Sequence, residues 1–173
     1  CRFNQHHQEM ASPEIFAVAG KYMDVISINH YRLWEPDAAW MANWEKWSGK
    51  PFIITEFYTK GEDSGLPNNT GAGWNVRTQA DRGWFYQNFV TELLRSGNCV
   101  GWHWFTYMDN DPQNLKTDPS NRDSNKGVVA WNFEPYTVLL DEMKQLNDCT
   151  YRLIRHLDAE KSEANRKTTD NHE

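Results

Sequence analysis

Cysteine is scarce in this chain of 173 residues. Cys1, Cys99 and Cys149 stand far apart with no C-x-x-C, so neither a zinc knuckle nor a disulfide framework is indicated. No run approaches the ~18 apolar residues of a membrane span, and no membrane partner is expected. Lys and Arg number 18 against 24 Asp and Glu, with a net charge of −6 and no basic run. Nucleic acid is therefore not an expected partner. No stretch reads as a signal peptide. The chain opens on Cys1 rather than Met, as expected of a processed or truncated product, so that absence says little about export. No internal repeat is present. The H-E-x-x-H spacing is missing as well: His6-His7-Gln-Glu9 puts two histidines side by side, which on a strand would point to opposite faces. Asp109-Asn-Asp111 lacks the Gly and the final Glu of an EF-hand, and reads better as a loop that contacts substrate or caps its own backbone. No metal and no cofactor are expected.

What remains is a globular composition, 39% hydrophobic and 24% charged. Its outlier is tryptophan, with 9 residues, eight of them between Trp34 and Trp104. Indole rings fill cores, and they also lie flat against the apolar faces of pyranose rings. Composition alone favours core filling.

Three short apolar runs read as parallel strands covered on both faces: 24–31, 51–57 and 99–106. Between them lie helical patterns. Ser12 and Pro13 start one that ends at Gly20. Residues 37–47 carry Trp40, Met41, Trp44 and Trp47 at helical spacing, with Gly49 beyond. Thr78 and Asp81 have capping-box spacing ahead of a helix that reaches Gly97. A fourth helix spans 134–147, with 151–157 extending it. The order implies an α/β fold. Two long polar loops, 58–77 and 107–126, follow strands and precede helices, where α/β folds place their sites. From Ala159 onward the only apolar residues are two alanines, which reads as a disordered tail over 158–173.

Glu56 ends an apolar strand, where a carboxylate is costly to bury without partners. It is either a functional group at a strand's carboxyl end, or a structural one that caps the next turn or pairs with a cation. Asn29-His30-Tyr31 ends the preceding strand, and Tyr31 could donate a hydrogen bond to Glu56. His103 and Trp104 end the third run. Successive strand residues face opposite ways, so only one of the two can point into a common site.

These segments resemble a known superfamily. Lys50-Pro-Phe-Ile-Ile-Thr-Glu-Phe-Tyr58 resembles the seventh strand of retaining glycoside hydrolases with a (β/α)₈ barrel, in which this Glu is the nucleophile. Asp24-Val-Ile-Ser-Ile-Asn-His-Tyr31 resembles their sixth strand, whose terminal Tyr hydrogen-bonds the nucleophile. Val100-Gly-Trp-His-Trp-Phe105 resembles the eighth, whose Trp lines the sugar subsite. The nearest likeness is to β-agarase-like and porphyranase-like enzymes.

The resemblance implies an α/β fold, a partial TIM barrel with strands five to eight over residues 1–157, in which Cys1-Arg2-Phe3 ends the fifth strand. It implies a glycoside hydrolase that cleaves a β-linked galactan with retention. Glu56 would be the nucleophile and Tyr31 its orienting partner, with Trp104, His103, Asn29 and Trp74 contacting substrate. The superfamily carries its acid/base in an Asn-Glu pair on the fourth strand, and no Asn-Glu dipeptide occurs here. A whole barrel takes typically ~250 residues. By itself the chain is then expected to be inactive, or to be a half-barrel that binds carbohydrate without cleaving it. Its expected partners are a polysaccharide or oligosaccharide and, across its open edges, the missing amino-terminal half or a second copy. A secreted or periplasmic location would follow if the parent degrades polysaccharide. Asp109, Asp111 and Asp118 add negative charge that disfavours a sulfated chain.

Overall fold

Local capping chemistry starts and stops two of the helices, and the computed structural model describes residues 2–4, 8–114 and 116–170. Cys1 and the His6-His7 pair lie outside the described residues. The first strand, β1, is Arg2–Asn4, and the first helix, α1, is Pro13–Tyr22. Ser12 precedes α1 but does not cap it; its hydroxyl donates instead to Glu14 at 3.0 Å. Gly20 does not stop α1. A Cβ there would sit 2.0 Å from the Ser48 carbonyl oxygen, so this glycine lets α1 approach the next helix closely. Strand β2 is Ile26–Asn29 and helix α2 is Ala38–Ser48. Asp37 caps α2 by accepting from the Trp40 N–H at 2.9 Å, and Gly49 closes it at φ 65°.

Strand β3 is Phe52–Phe57. Two short strands follow, β4 (Thr59–Gly61) and β5 (Trp74–Val76), which pair in parallel outside the main sheet. Helix α3, Gln79–Ser96, begins with a complete capping box between Thr78 and Asp81 and ends on Gly97 at φ 81°. Strand β6 is Cys99–Trp104, and helix α4 is Thr137–Asp170.

The main sheet has the order β1-β2-β3-β6 and is parallel throughout. One face lies under the helices. Ile26, Ile28, Phe52, Ile54 and Phe57 pack there against Phe16, Trp44, Phe89, Leu93 and Leu139. The other face is only half covered: Ser27, Ile53 and Thr55 stay partly accessible and Val100 is exposed. The expectation of strands buried on both faces thus holds for the helix side alone. Both margins of the sheet also carry exposed apolar residues. Ile15, Val18, Tyr22 and Met23 lie along α1 beside β1, and Val100 and Tyr151 lie at the β6–α4 margin.

Where a disordered tail over 158–173 is expected, α4 runs on to Asp170, and residues 171–173 lie outside the described residues. Helix-forming residues carry this extension, and near its start Glu160 lies 3.6 Å from Arg95 and 3.3 Å from His156. A lack of apolar residues forbids packing, but it does not forbid an exposed helical extension of a helix already nucleated.

His30 is buried beneath the sheet, edge-on to Phe89 (5.1 Å) and Trp44 (6.4 Å), and among the described residues neither ring nitrogen has a hydrogen-bond partner. Burial pulls its pKa from 6.5 down to about 4, opposed by the nearby charge of Asp37. Between those values the unfolded chain binds a proton that the folded chain does not, so stability is lost as pH falls through that window. The expected loss is up to about 3 kcal/mol, and it should be much smaller in His30→Phe. Urea melts at pH about 7 and about 4.5 check this; parallel loss in both proteins would show that other groups govern the acid limb.

Candidate active site

Parallel strands deliver their carboxyl ends to one face, and there the candidate residues meet. The Tyr31 hydroxyl, just past β2, donates to Glu56 Oε2 at 2.5 Å. Directly beside this pair, Thr55 Oγ1 donates to Asn29 Oδ1 at 2.8 Å. Thr55 and Glu56 are consecutive, yet both bond to side chains from the end of β2. Register shifts make this possible, one between Ile28 and Asn29 on β2 and one between Ile54 and Phe57 on β3. Such an irregularity re-aims one side chain that strict alternation would send to the far face.

Tyr31 is backed by Tyr58, edge-on at 5.6 Å. Tyr58 in turn meets Phe105 at 5.8 Å, accepts from the Ala72 N–H at 2.9 Å and donates to Asn121 Oδ1 at 3.0 Å. Burial raises the Tyr58 pKa, and the nearby charge of Glu56 adds to the rise. Tyr58 therefore stays a neutral hydrogen-bonding strut between the two long loops.

Asn29 belongs to this group, but it is buried with its oxygen engaged, so it steadies Thr55 rather than facing outward. Trp74 opens β5 and is 51% exposed. The preceding Gly73 presses so closely on Tyr58 that a Cβ would lie 2.5 Å from the Tyr58 carbonyl oxygen, which ties Trp74 to the Glu56 cluster. His103 is exposed.

Trp104 requires a correction. The strand register turns it to the helix side, where it meets Phe57 at 5.5 Å and Phe85 and Tyr86 at 6.2 Å, and its Nε1–H donates to the Lys126 carbonyl at 2.7 Å. It holds the loop after β6 in place rather than offering a face to a sugar. The aromatic at this strand end that meets Tyr58 is Phe105.

The two long loops do not hang free. They interlock through buried and half-buried polar groups. Asp109 is 1% exposed and accepts from Lys126 N–H, Gly127 N–H, Asn125 Nδ2 and the Tyr136 hydroxyl at 2.6 to 2.9 Å. It caps backbone and does not repel a ligand, which leaves Asp111 and Asp118 as the exposed acids of that segment. Asn68 Oδ1 accepts from Asn125 N–H at 2.7 Å, and Asp123 accepts from Asn69 N–H, Thr70 N–H and the Thr70 hydroxyl. Lys60 reaches the carbonyls of Asn68 and Thr70 at 3.0 and 2.9 Å. Arg82, fully buried, donates to the carbonyls of Thr59 and Gly127, both at 2.9 Å, and to Gln79 Oε1 at 2.7 Å. Burial lowers its pKa to about 10, with Asp109 acting against the shift, so the guanidinium stays charged near neutral pH. Among the described residues no cluster suits a metal ion.

The chain is similar to several known proteins. Beta-agarase B of Vibrio sp. (strain JT0107) is 33% identical over 144 residues, covering 82% of this chain and 14% of the agarase. Among solved structures, BpGH50 aligns with a TM-score of 0.77 and 44% identity over 86% of this chain and 30% of that one. An exo-beta-agarase aligns with a TM-score of 0.69 and 30% identity over 82% of this chain and 18% of its own. The chain thus spans less than a third of each of these relatives. No family model matches it.

Proposed function

We propose, from the premise that the homologues of this chain are β-agarases of which it spans a small part, that it forms the nucleophile-bearing portion of a glycoside hydrolase acting on an agarose-like galactan with retention. The observation that carries this proposal is the 2.5 Å hydrogen bond from Tyr31 to Glu56 at the carboxyl ends of adjacent parallel strands. Strands β1, β2, β3 and β6 would then be the fifth to eighth of a (β/α)₈ barrel. The half-covered sheet face and the exposed apolar residues at both margins support that assignment, since the rest of a barrel would cover them.

In this mechanism the Glu56 carboxylate attacks the anomeric carbon. The glycosidic C–O bond breaks, and a second carboxyl group about 5–5.5 Å away protonates the departing oxygen. That group would come from a segment outside this chain. Water, deprotonated by the same second carboxylate, then attacks the anomeric carbon and frees Glu56. Tyr31 holds the attacking carboxylate in line, and Trp74 and His103 lie exposed where a sugar chain would pass.

Stereochemistry gives the test. Agaro-oligosaccharides digested by a protein of full agarase length carrying this segment should first show the β-anomer by proton NMR. An α-anomer appearing first would remove Glu56 from the nucleophile's role. Across agarose, porphyran, carrageenan and β-glucan, the least sulfated galactan should be turned over fastest; preference for the most sulfated polymer would overturn the substrate assignment.

Tyr31→Phe keeps the ring and its contact with Tyr58 but deletes the bond to Glu56. A hydrogen bond to a charged group contributes about 1.5–3 kcal/mol. The expected loss of kcat is therefore roughly 10- to 100-fold with little change in KM. A loss under about threefold would show that the hydroxyl does not position Glu56.

A further inference from the structure

A polymer extends beyond the bond being cleaved, and a turn on the same strand-end face offers two exposed aromatic residues, Trp131 and Phe133. Between the loop after β6 and the start of α4, the chain turns tightly at 130–134. Phe133 N–H donates to the Ala130 carbonyl at 2.9 Å, and Ala130 N–H to the Glu134 carbonyl at 2.8 Å. Phe133 is held at φ 70°, a region bulky residues seldom occupy. Such a conformation persists only where the surroundings over-determine it, and it is a reason to look for function. The turn does not use it to bury a side chain: Phe133 is 77% exposed, and Trp131 44%.

The base beneath the two rings is rigid. Val129 bridges Met108 and Pro135, Asp109 N–H donates to the Val129 carbonyl at 2.9 Å, and Tyr136 donates to Asp109 at 2.7 Å. The turn is thereby fastened to the network that closes over Arg82 and Trp104. Because α4 leads back from the carboxyl end of β6, which is parallel to β3, the rings stand on the face where Glu56 ends its strand.

We propose that Trp131 and Phe133 form a second platform for a neutral galactan chain, outlying from Glu56; this rests on the galactan assignment made above. Flat rings held apart on a stiff turn suit the apolar C–H faces of pyranoses. The polar residues of the turn are Asn132 and Glu134, with no cation among them, so hydroxyls find partners and sulfate meets a carboxylate.

Affinity electrophoresis, in agarose-containing gels, of a protein of full agarase length carrying this segment tests the platform. It is done in a Glu56→Gln background, so that no polymer is consumed and the readout does not depend on the nucleophile. Trp131→Ala combined with Phe133→Ala should raise the apparent Kd for the polymer about tenfold. Phe133→Gly removes a ring and relieves the backbone together, so it should weaken retardation without lowering the melting temperature; a variant that binds poorly because it unfolds would melt lower. Unchanged retardation in both variants overturns the platform. So does unchanged retardation with an altered association state by light scattering, which would assign the rings to a protein surface, and so does a parent chain that agarose does not retard. Loss of retardation in the variants, in a protein whose Glu56→Gln form still cleaves, would leave the platform standing and reject the mechanism.

Discussion

Replacing Glu56 with glutamine in a full-length agarase carrying this segment should lower kcat by on the order of 10⁴-fold, with the fold and polymer binding retained. Glutamine is nearly isosteric, and its amide oxygen can still accept from Tyr31, so the 2.5 Å contact that organises the strand ends survives in weaker form. What is lost is the attacking lone pair of a carboxylate, and no neighbour replaces it. Asn29 is buried with its oxygen occupied by Thr55, and Asp109 is enclosed by four donors. Turnover of oligosaccharides, read beside thermal melting, decides the matter. A variant that keeps more than a few per cent of the parental rate would show that another group attacks the sugar.

The second large effect is on stability. Arg82→Met should destabilise the protein by about 3–5 kcal/mol. For a chain of this length that is a fall of roughly 6–20 °C in Tm, at about 2–4 °C per kcal/mol. The guanidinium joins three segments: Thr59 on β4, Gln79 on α3 and Gly127 in the loop after β6. It also lies 5.3 Å from the centre of the Trp104 ring and 5.4 Å from that of Tyr136. Methionine fills similar space but leaves two buried carbonyls without donors and the charge of Asp109 without its counter-charge. Arg82→Lys should fall between, since an ammonium keeps the charge but cannot span the same fork. A loss below about 1 kcal/mol in the methionine variant would show that the loops hold together without it.

Helix boundaries were legible from the chain because their chemistry is local. Asp37 with Trp40, Thr78 with Asp81, and the left-handed glycines 49 and 97 each act within four residues. Ser12 looked equivalent, but its hydroxyl prefers the carboxylate of Glu14. Gly20 looked like a stop, yet the constraint on it comes from Ser48 on another helix. The tail over 158–170 was misjudged because a scarcity of apolar residues reports on packing, whereas the backbone there needs only propensity and a preceding turn.

The sequence by itself determined the α/β order, the strand-end position of Glu56 and the nearness of Tyr31, since apolar runs closed by polar residues mark where strands surface. Tertiary structure alone decided the rest of the site. Trp104 follows Trp102 by two residues and lies under the helices opposite Phe57, while Phe105 meets Tyr58. Pairings such as Asn68 with Asn125, 57 residues apart, and Thr70 with Asp123, 53 apart, turned two polar loops into one interlocked rim. No local pattern separates an asparagine facing water from one buried against a distant backbone, because only the closed chain sets which donors lose their water and must find each other.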